Sequence, residues 1–208
     1  MQINIYVTGP FGVNCYVGEN TETKKGFIVD PGGENHALTD FLTGNGMDLE
    51  YIILTHGHGD HIGGVEHYMD MFPNAKLVAS KYEKEMLNDE NLNESLAMYG
   101  FPLRIDADLY VDDGDTLMCG GYELKFIHTP GHTPGGMCIL TEDILFSGDT
   151  LFRQSIGRTD LPGGDFSTLM KSIKEKLFVL PDETKVLPGH MGTTTIGYEK
   201  EHNPFVQG

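Results

Sequence analysis

The run Thr55 to Gly64 reads THGHGDHIGG, and it places His56, His58, Asp60 and His61 within six residues of one another. Imidazole nitrogens and carboxylate oxygens at such density are the donors that zinc, iron and manganese take. His132 in PGH, Asp149 in FSGD and His190 in LPGH offer three more donors of the same kind. Seven donors without a thiolate exceed the three protein ligands of a single catalytic zinc and suit two divalent ions that share a bridging ligand. Zinc is the first expectation, and iron or manganese also matches the donors. Asp60 and Asp149 are the carboxylates expected at the reacting atoms, as ligands first and proton carriers second. A histidine standing alone is more often a surface or core residue, and His36, His67, His128 and His202 are read so. Five imidazoles packed together without a cation would leave buried polar groups poorly compensated, at about 1 to 3 kcal/mol each.

These residues follow apolar runs. GFIV is followed by Asp30, YIILT by His56 and His58, KFIHTPG by His132, ILFSG by Asp149 and KVLPG by His190. Strands pointing the same way would deliver all of them to one edge of a layered fold, where loops build sites. His56 and His58, two apart in extended chain, project to one side and can grip one ion, whereas Asp60 and His61 fall at a turn and can reach a second. Alternation in QINIYV, with Ile3, Ile5 and Val7 on one face, predicts a first strand, with VNCYV as its hairpin partner. HALTDFL and VEHYMDMF suit helices between strands, and Phe166, Leu169, Met170, Ile173 and Leu177 mark an amphipathic helix over DFSTLMKSIKEKLF. Ser80 and Glu83 have the spacing of a capping box opening a polar, helical segment that runs to about Phe101. That segment is read as a connecting helix, with a lid or a dimer surface as other roles. Asp113-Gly114 and Gly120-Gly121 mark turns between later strands.

At 208 residues the chain is expected to form a single domain over 1–208 with one sizeable core. Its 27 glycines favour an α/β enzyme over a helical bundle. Fourteen basic against 31 acidic residues give a net charge of -17, which argues against nucleic acid and anionic membranes as partners. Cys15, Cys119 and Cys138 form no C-x-x-C pair, so a reducing compartment and buried thiols are expected. No segment approaches the ~20 apolar residues of a membrane span, the N-terminus lacks a basic opening and an apolar run, and the expected location is cytoplasmic.

THGHGDHIGG, PGHTPGG, FSGDTLF and LPGH, in that order, resemble the metallo-β-lactamase superfamily over essentially the whole chain. The resemblance implies a four-layer αββα sandwich of two mixed β-sheets flanked by helices. It also implies a ligand set: His56, His58 and His132 for one metal, Asp60, His61 and His190 for the other, and Asp149 as the bridge. Asp30 in VDPGG matches the family's first motif, which implies that it orients the metal loop and is not a ligand; a plain turn aspartate is the other reading. FSGDTLFRQSIGRTDLPGGD and TTIGYEKEHNPF are similar to the short glyoxalase II-like (hydroxyacylglutathione hydrolase-like) branch. This implies hydrolysis of a small-molecule thioester, such as a hydroxyacyl-glutathione, by a metal-bridging hydroxide. The helical domain that carries the glutathione contacts in full-length relatives has no counterpart here, so those contacts do not transfer. The family's β-lactamases usually place a cysteine where Asp149 stands, which points away from antibiotic hydrolysis. Arg158 and Asp160 are read as a buried ion pair supporting their loop, with contact to an anionic substrate as the other role for Arg158. Tyr198 and Lys200 are further substrate-contact candidates. A rival reaction comes from the family's persulfide dioxygenases, which also carry a G-R-T-D stretch and bind one ferrous ion through residues matching His56, His132 and Asp149.

Overall fold

The structure is a computed structural model that describes residues 1–206. Two six-stranded sheets face each other. The first is built in chain order from β1 (Gln2–Thr8), β2 (Val13–Glu19), β3 (Lys25–Val29), β4 (Asp48–Ile53), β5 (Lys76–Ser80) and β6 (Leu109–Val111). β1 to β3 pair antiparallel, and β3 to β6 pair parallel. Later come β7 (Thr116–Cys119), β8 (Tyr122–His128), β9 (Met137–Thr141), β10 (Ile144–Gly148), the small hairpin of β11 (Leu151–Phe152) and β12 (Ser155–Ile156), then β13 (Lys185–Pro188) and β14 (Thr194–Thr195). The second sheet runs β14-β13-β10-β9-β8-β7, with only β10 and β13 parallel.

Alternate residues of the central strands serve different layers, which is why these strands read as unbroken apolar runs. Ile53, Val78, Phe126, Ile139 and Phe146 meet between the sheets. Their chain neighbours Ile52, Leu77 and Leu54 face outward instead, onto Leu38 and Leu42 of α1 (His36–Gly44) and onto Val65 and Tyr68 farther along the chain. Ile127, Cys138 and Leu145 pack against Leu169, Ile173, Leu177 and Ile196 on the opposite outer face. The layers are therefore helix, sheet, sheet, helix, as expected. All three cysteines are buried and free. Among the described residues no helix is long and apolar enough to cross a membrane.

The remaining helices are α2 (Gly59–Ile62), α3 (Val65–Met71), α4 (Lys84–Leu87), α5 (Ser95–Tyr99), α6 (Phe166–Ser172) and α7 (Ile196–His202). α6 passes into a π-helical turn over Ile173–Leu177, closed by Phe178 N donating to Ile173 O at 2.9 Å. Leu169, Ile173 and Leu177 are all fully buried, whereas Phe166, expected on the apolar face, is 50% exposed at the start of the helix. Leu169→Ala is expected to cost about 2 to 5 kcal/mol in chemical denaturation, because a fully buried leucine leaves a cavity.

Two local expectations are corrected. Ile5 and Val7 of β1 are exposed, while Ile3 on the same face packs between the sheets and Tyr6 packs on the other side, its ring 5.8 Å from that of Phe41. β1 is an edge strand, and although it forms as expected, Ile5 and Val7 are left uncovered. The segment from Ser80 to Phe101 is not one helix opened by a capping box. Ser80 Oγ accepts from Tyr82 N as a cap does, but Glu83 turns inward and bonds elsewhere.

Candidate metal centre

The two ligand-bearing regions lie at the C-terminal ends of β4, β8, β10 and β13. After β4 the chain bends at Thr55, is extended at His58 and then makes the single turn α2, which carries Asp60 and His61. His132 follows β8, Asp149 directly follows β10, and His190 follows β13. The sheets are tied together at this edge. Met137 N donates to Thr55 O at 2.9 Å, Asn14 N to Gly189 O at 2.8 Å, and Tyr16 Oη to Pro188 O at 2.7 Å. Close packing sets two glycines. A Cβ on Gly157 would lie 1.8 Å from the Asp149 carbonyl oxygen, and one on Gly189 would lie 2.4 Å from Asp149 Oδ1.

The seven candidate side chains form two donor groups. His56, His58 and His132 make one, and Asp60, His61 and His190 the other, with the donor atoms of each group within 4.8 Å of one another. Asp149 touches both. Its Oδ1 is 3.4 Å from His61 Nε2, and its Oδ2 is 3.7 Å from both His132 Nε2 and His190 Nε2. Asp60 Oδ2 lies 3.3 Å from His190 Nε2.

The surrounding hydrogen bonds fix which nitrogen points inward. His132 Nδ1 donates to the Arg158 carbonyl at 2.7 Å, so its Nε2 carries the lone pair. Asp30 accepts from Thr55 N at 2.7 Å through one oxygen, and from Thr55 Oγ1 at 2.6 Å and His61 Nδ1 at 2.9 Å through the other. Thr55 Oγ1, its proton spent on Asp30, accepts from His56 Nδ1 at 3.0 Å. Asp30 thus orients both His56 and His61. Although its oxygens also lie within reach of a third group with these two histidines, they are already occupied. Asp30→Asn is expected to lower metal affinity about 10- to 100-fold in chelator competition, because an amide cannot accept all three bonds.

Burial, helped by the neighbouring imidazoles, holds His56 well below its ordinary pKa, and burial pushes His58 down to about 3 and lowers His132. Burial also acts against ionising Asp149, but His61, His132 and His190 outweigh it and hold the carboxyl well below its usual range. His61 is the mirror case: burial disfavours its charged form, and Asp149, Asp60 and Asp30 raise it nonetheless. Neutral His56, His58 and His132 beside an ionised Asp149 are the protonation states a cation requires, whereas His61 must give up a proton for its Nε2 to act as a donor. His56 Nε2, His58 Nε2, His61 Nε2 and Asp149 Oδ1 are buried without a hydrogen-bond partner, and His58 Nδ1 lies 3.0 Å from His132 Nε2. Buried polar atoms left this way are costly unless a cation satisfies them, so the cluster fits metal ions.

Glu83 is the site residue that sequence reasoning missed. It is 1% exposed and accepts from Gly57 N at 2.9 Å, from Gly135 N at 2.6 Å and from Thr133 Oγ1 at 2.6 Å. One carboxylate therefore straps the loop of His56 and His58 to the loop of His132. Its only sequence signal was the spacing from Ser80, which reads as a local cap. The rest of that segment also packs on the metal loop, with Gly59 N donating to Asn93 O at 2.7 Å and Tyr99 Oη to Gly59 O at 3.4 Å.

Of the substrate-contact candidates, only Arg158 lines the cleft above the cluster. Its bidentate pair with Asp160 forms as expected, but both side chains are exposed, so it is not a buried pair. Tyr198 lines a separate depression with Arg153 and Lys185, and its hydroxyl accepts from Gln154 Nε2. Lys200 is held by Asp182 and the Leu180 carbonyl. Helix α7 packs against β14, which carries both residues away from the cleft.

The fold and this edge define a metallo-hydrolase class. A sequence profile of the metallo-β-lactamase superfamily matches residues 8–190. The chain is 37% identical to the hydroxyacylglutathione hydrolase GloC of Haemophilus influenzae, over 99% of this chain and 98% of that protein. It overlays the crystal structure of BLEG-1 B3 metallo-β-lactamase with a TM-score of 0.93 at 40% identity, over 100% of both chains. It overlays TTHA1623 in a di-iron-bound form with a TM-score of 0.85 at 32% identity, over 97% of this chain and 99% of the other. The chain belongs to the metallo-β-lactamase superfamily.

Proposed function

We propose that the chain is a dinuclear-metal thioester hydrolase of the glyoxalase II-like kind, acting on small-molecule thioesters such as a hydroxyacyl-glutathione. The observation that carries it is the meeting of two three-residue donor groups at Asp149 in an open cleft. In this reading His56, His58 and His132 would hold one divalent ion and Asp60, His61 and His190 a second, with Asp149 within reach of both groups and zinc the first candidate. Ions so held supply a water that ionises near neutral pH and positive charge for a developing oxyanion. The chain keeps the donors ready: Asp30 holds the proton of His61 on Nδ1, and the Arg158 carbonyl does the same for His132. A thiolate leaving group, with a reference thiol pKa of ~8.5, needs no strong general acid, and the cleft lining holds none beyond the donors themselves. Arg158 at the rim offers a guanidinium to a substrate carboxylate. Exchanging Asp160 for it costs little, since exposed pairs are worth about 0 to 1 kcal/mol.

The test is elemental analysis of protein expressed without added metal, with thioester hydrolysis followed by thiol release. About two ions per chain and release of thiol from a hydroxyacyl-glutathione are expected. One iron per chain with oxygen uptake on glutathione persulfide and no thiol release would replace this reading with the dioxygenase. A β-lactam offered to the same preparation tests the activity in the name of the 40% identical structure.

A further inference from the structure

The cleft above the donor cluster has a volume of about 540 Å³, and most of the walls beyond the donors are apolar. Phe11 enters from the turn between β1 and β2, Met98 from α5, Phe152 and Ile156 from the hairpin after Asp149, and Met191 from the loop after His190. Arg158 and Ser155 are the polar residues added to the donors.

Two of these side chains are placed against their own preferences. Met191 has φ +68°, the left-handed region that favours glycine, and it is 60% exposed. The conformation is held from β2, where Asn14 Nδ2 donates to the Pro188 carbonyl at 3.0 Å and to the Met191 carbonyl at 2.9 Å. Strain at Met191 is not repaid by packing within the chain. Phe11 is 47% exposed, with its ring 5.9 Å from Tyr99 in an edge-on contact. Both side chains line the cleft and would be further buried by what enters it. A charged arm, such as a peptide-like thiol with carboxylates, loses its hydration against these walls, so it belongs at the open rim near Arg158. What the walls fit is an apolar acyl arm.

We propose that Phe11, Met98 and Met191 form an acyl-binding wall that makes the chain selective for thioesters of apolar acyl groups, aliphatic or aromatic beyond the carbonyl, whether or not they carry a hydroxyl. This rests on the hydrolase reading. In the reaction, water oxygen forms the new C–O bond, the acyl C–S bond breaks with its electron pair leaving on sulfur, and the water protons pass to sulfur and to solvent.

The test uses the metal-loaded full chain and a series of acyl-glutathiones: acetyl, butanoyl, hexanoyl and phenylacetyl. Burial of each methylene is expected to raise kcat/KM about threefold, so hexanoyl, with four more carbons, should exceed acetyl by roughly 80-fold. A flat or falling series, with acetyl-glutathione still cleaved, overturns the acyl wall and leaves the hydrolase reading standing. Failure to cleave any member overturns the hydrolase reading itself. Met191→Gly separates selectivity from folding, because glycine suits φ +68° and should keep or raise Tm. It and Phe11→Ser are expected to lower the hexanoyl-to-acetyl ratio about tenfold; an unchanged ratio in both folded variants also overturns the wall.

Discussion

Asp149→Ala is expected to reduce kcat/KM for thioester hydrolysis by about three orders of magnitude or more and to leave at most one metal ion per chain. Asp149 is the side chain within 3.4 to 3.7 Å of both donor groups, and its Oδ1 is buried without another partner. Removing it takes away the negative charge that lies within reach of both donor groups. Several kcal/mol of transition-state stabilisation are at stake, and each 1.4 kcal/mol is about tenfold in rate. Asp149→Asn keeps the volume and one acceptor but not the charge, and is expected to restore little. Elemental analysis beside steady-state kinetics reads both effects; two tightly held ions and near-normal turnover in the alanine variant would sink the dinuclear assignment.

Glu83→Ala carries the largest expected cost in stability, about 3 kcal/mol or more in denaturant unfolding. It leaves Gly57 N, Gly135 N and Thr133 Oγ1 without their acceptor in a buried position, at about 1 to 3 kcal/mol for each group left unpaired. The same carboxyl gives a pH dependence. Burial pushes Glu83 up to about 7 from an ordinary value of 4.5, against three hydrogen bonds that lower it. Between those values the folded state binds more protons than the unfolded state. Its contribution is therefore fully present below about pH 4.5 and is lost as pH rises through 7, on the order of 3 kcal/mol in all. Glu83→Gln has nothing to titrate there. In the presence of chelator, the stability of the wild type minus that of the glutamine variant should fall between pH 5 and 8. A difference that stays level or rises over that range would show that Glu83 is ionised throughout.

The fold layers were legible because each strand buried on both faces leaves a short apolar run, and each helix on the outside leaves a 3.6-residue stripe. The alternation of Ile3, Ile5 and Val7 marked the first strand but not how much of it a neighbouring sheet covers, and Ile5 and Val7 are exposed. The reading failed at Tyr198 and Lys200, which lie close to His190 in sequence but are carried off by β14 and α7. The segment Ser80 to Phe101 looked like local helix because its apolar and capping residues have local spacing, whereas its actual partners are Gly57, Gly59 and the loop at Thr133 to Gly135.

The sequence by itself determined the candidate donors. Imidazoles and carboxylates placed directly after apolar runs have a chemistry that does not depend on knowing the fold, and seven of them exclude most other uses. Only the tertiary structure decided how they are grouped, which ring nitrogen each histidine turns inward, and that Asp149 stands between the groups. Those facts follow from contacts between residues far apart in the chain, such as Asp30 with His61, Arg158 with His132 and Glu83 with both loops. A linear pattern holds no distance between such pairs, and packing of the two sheets face to face supplies it.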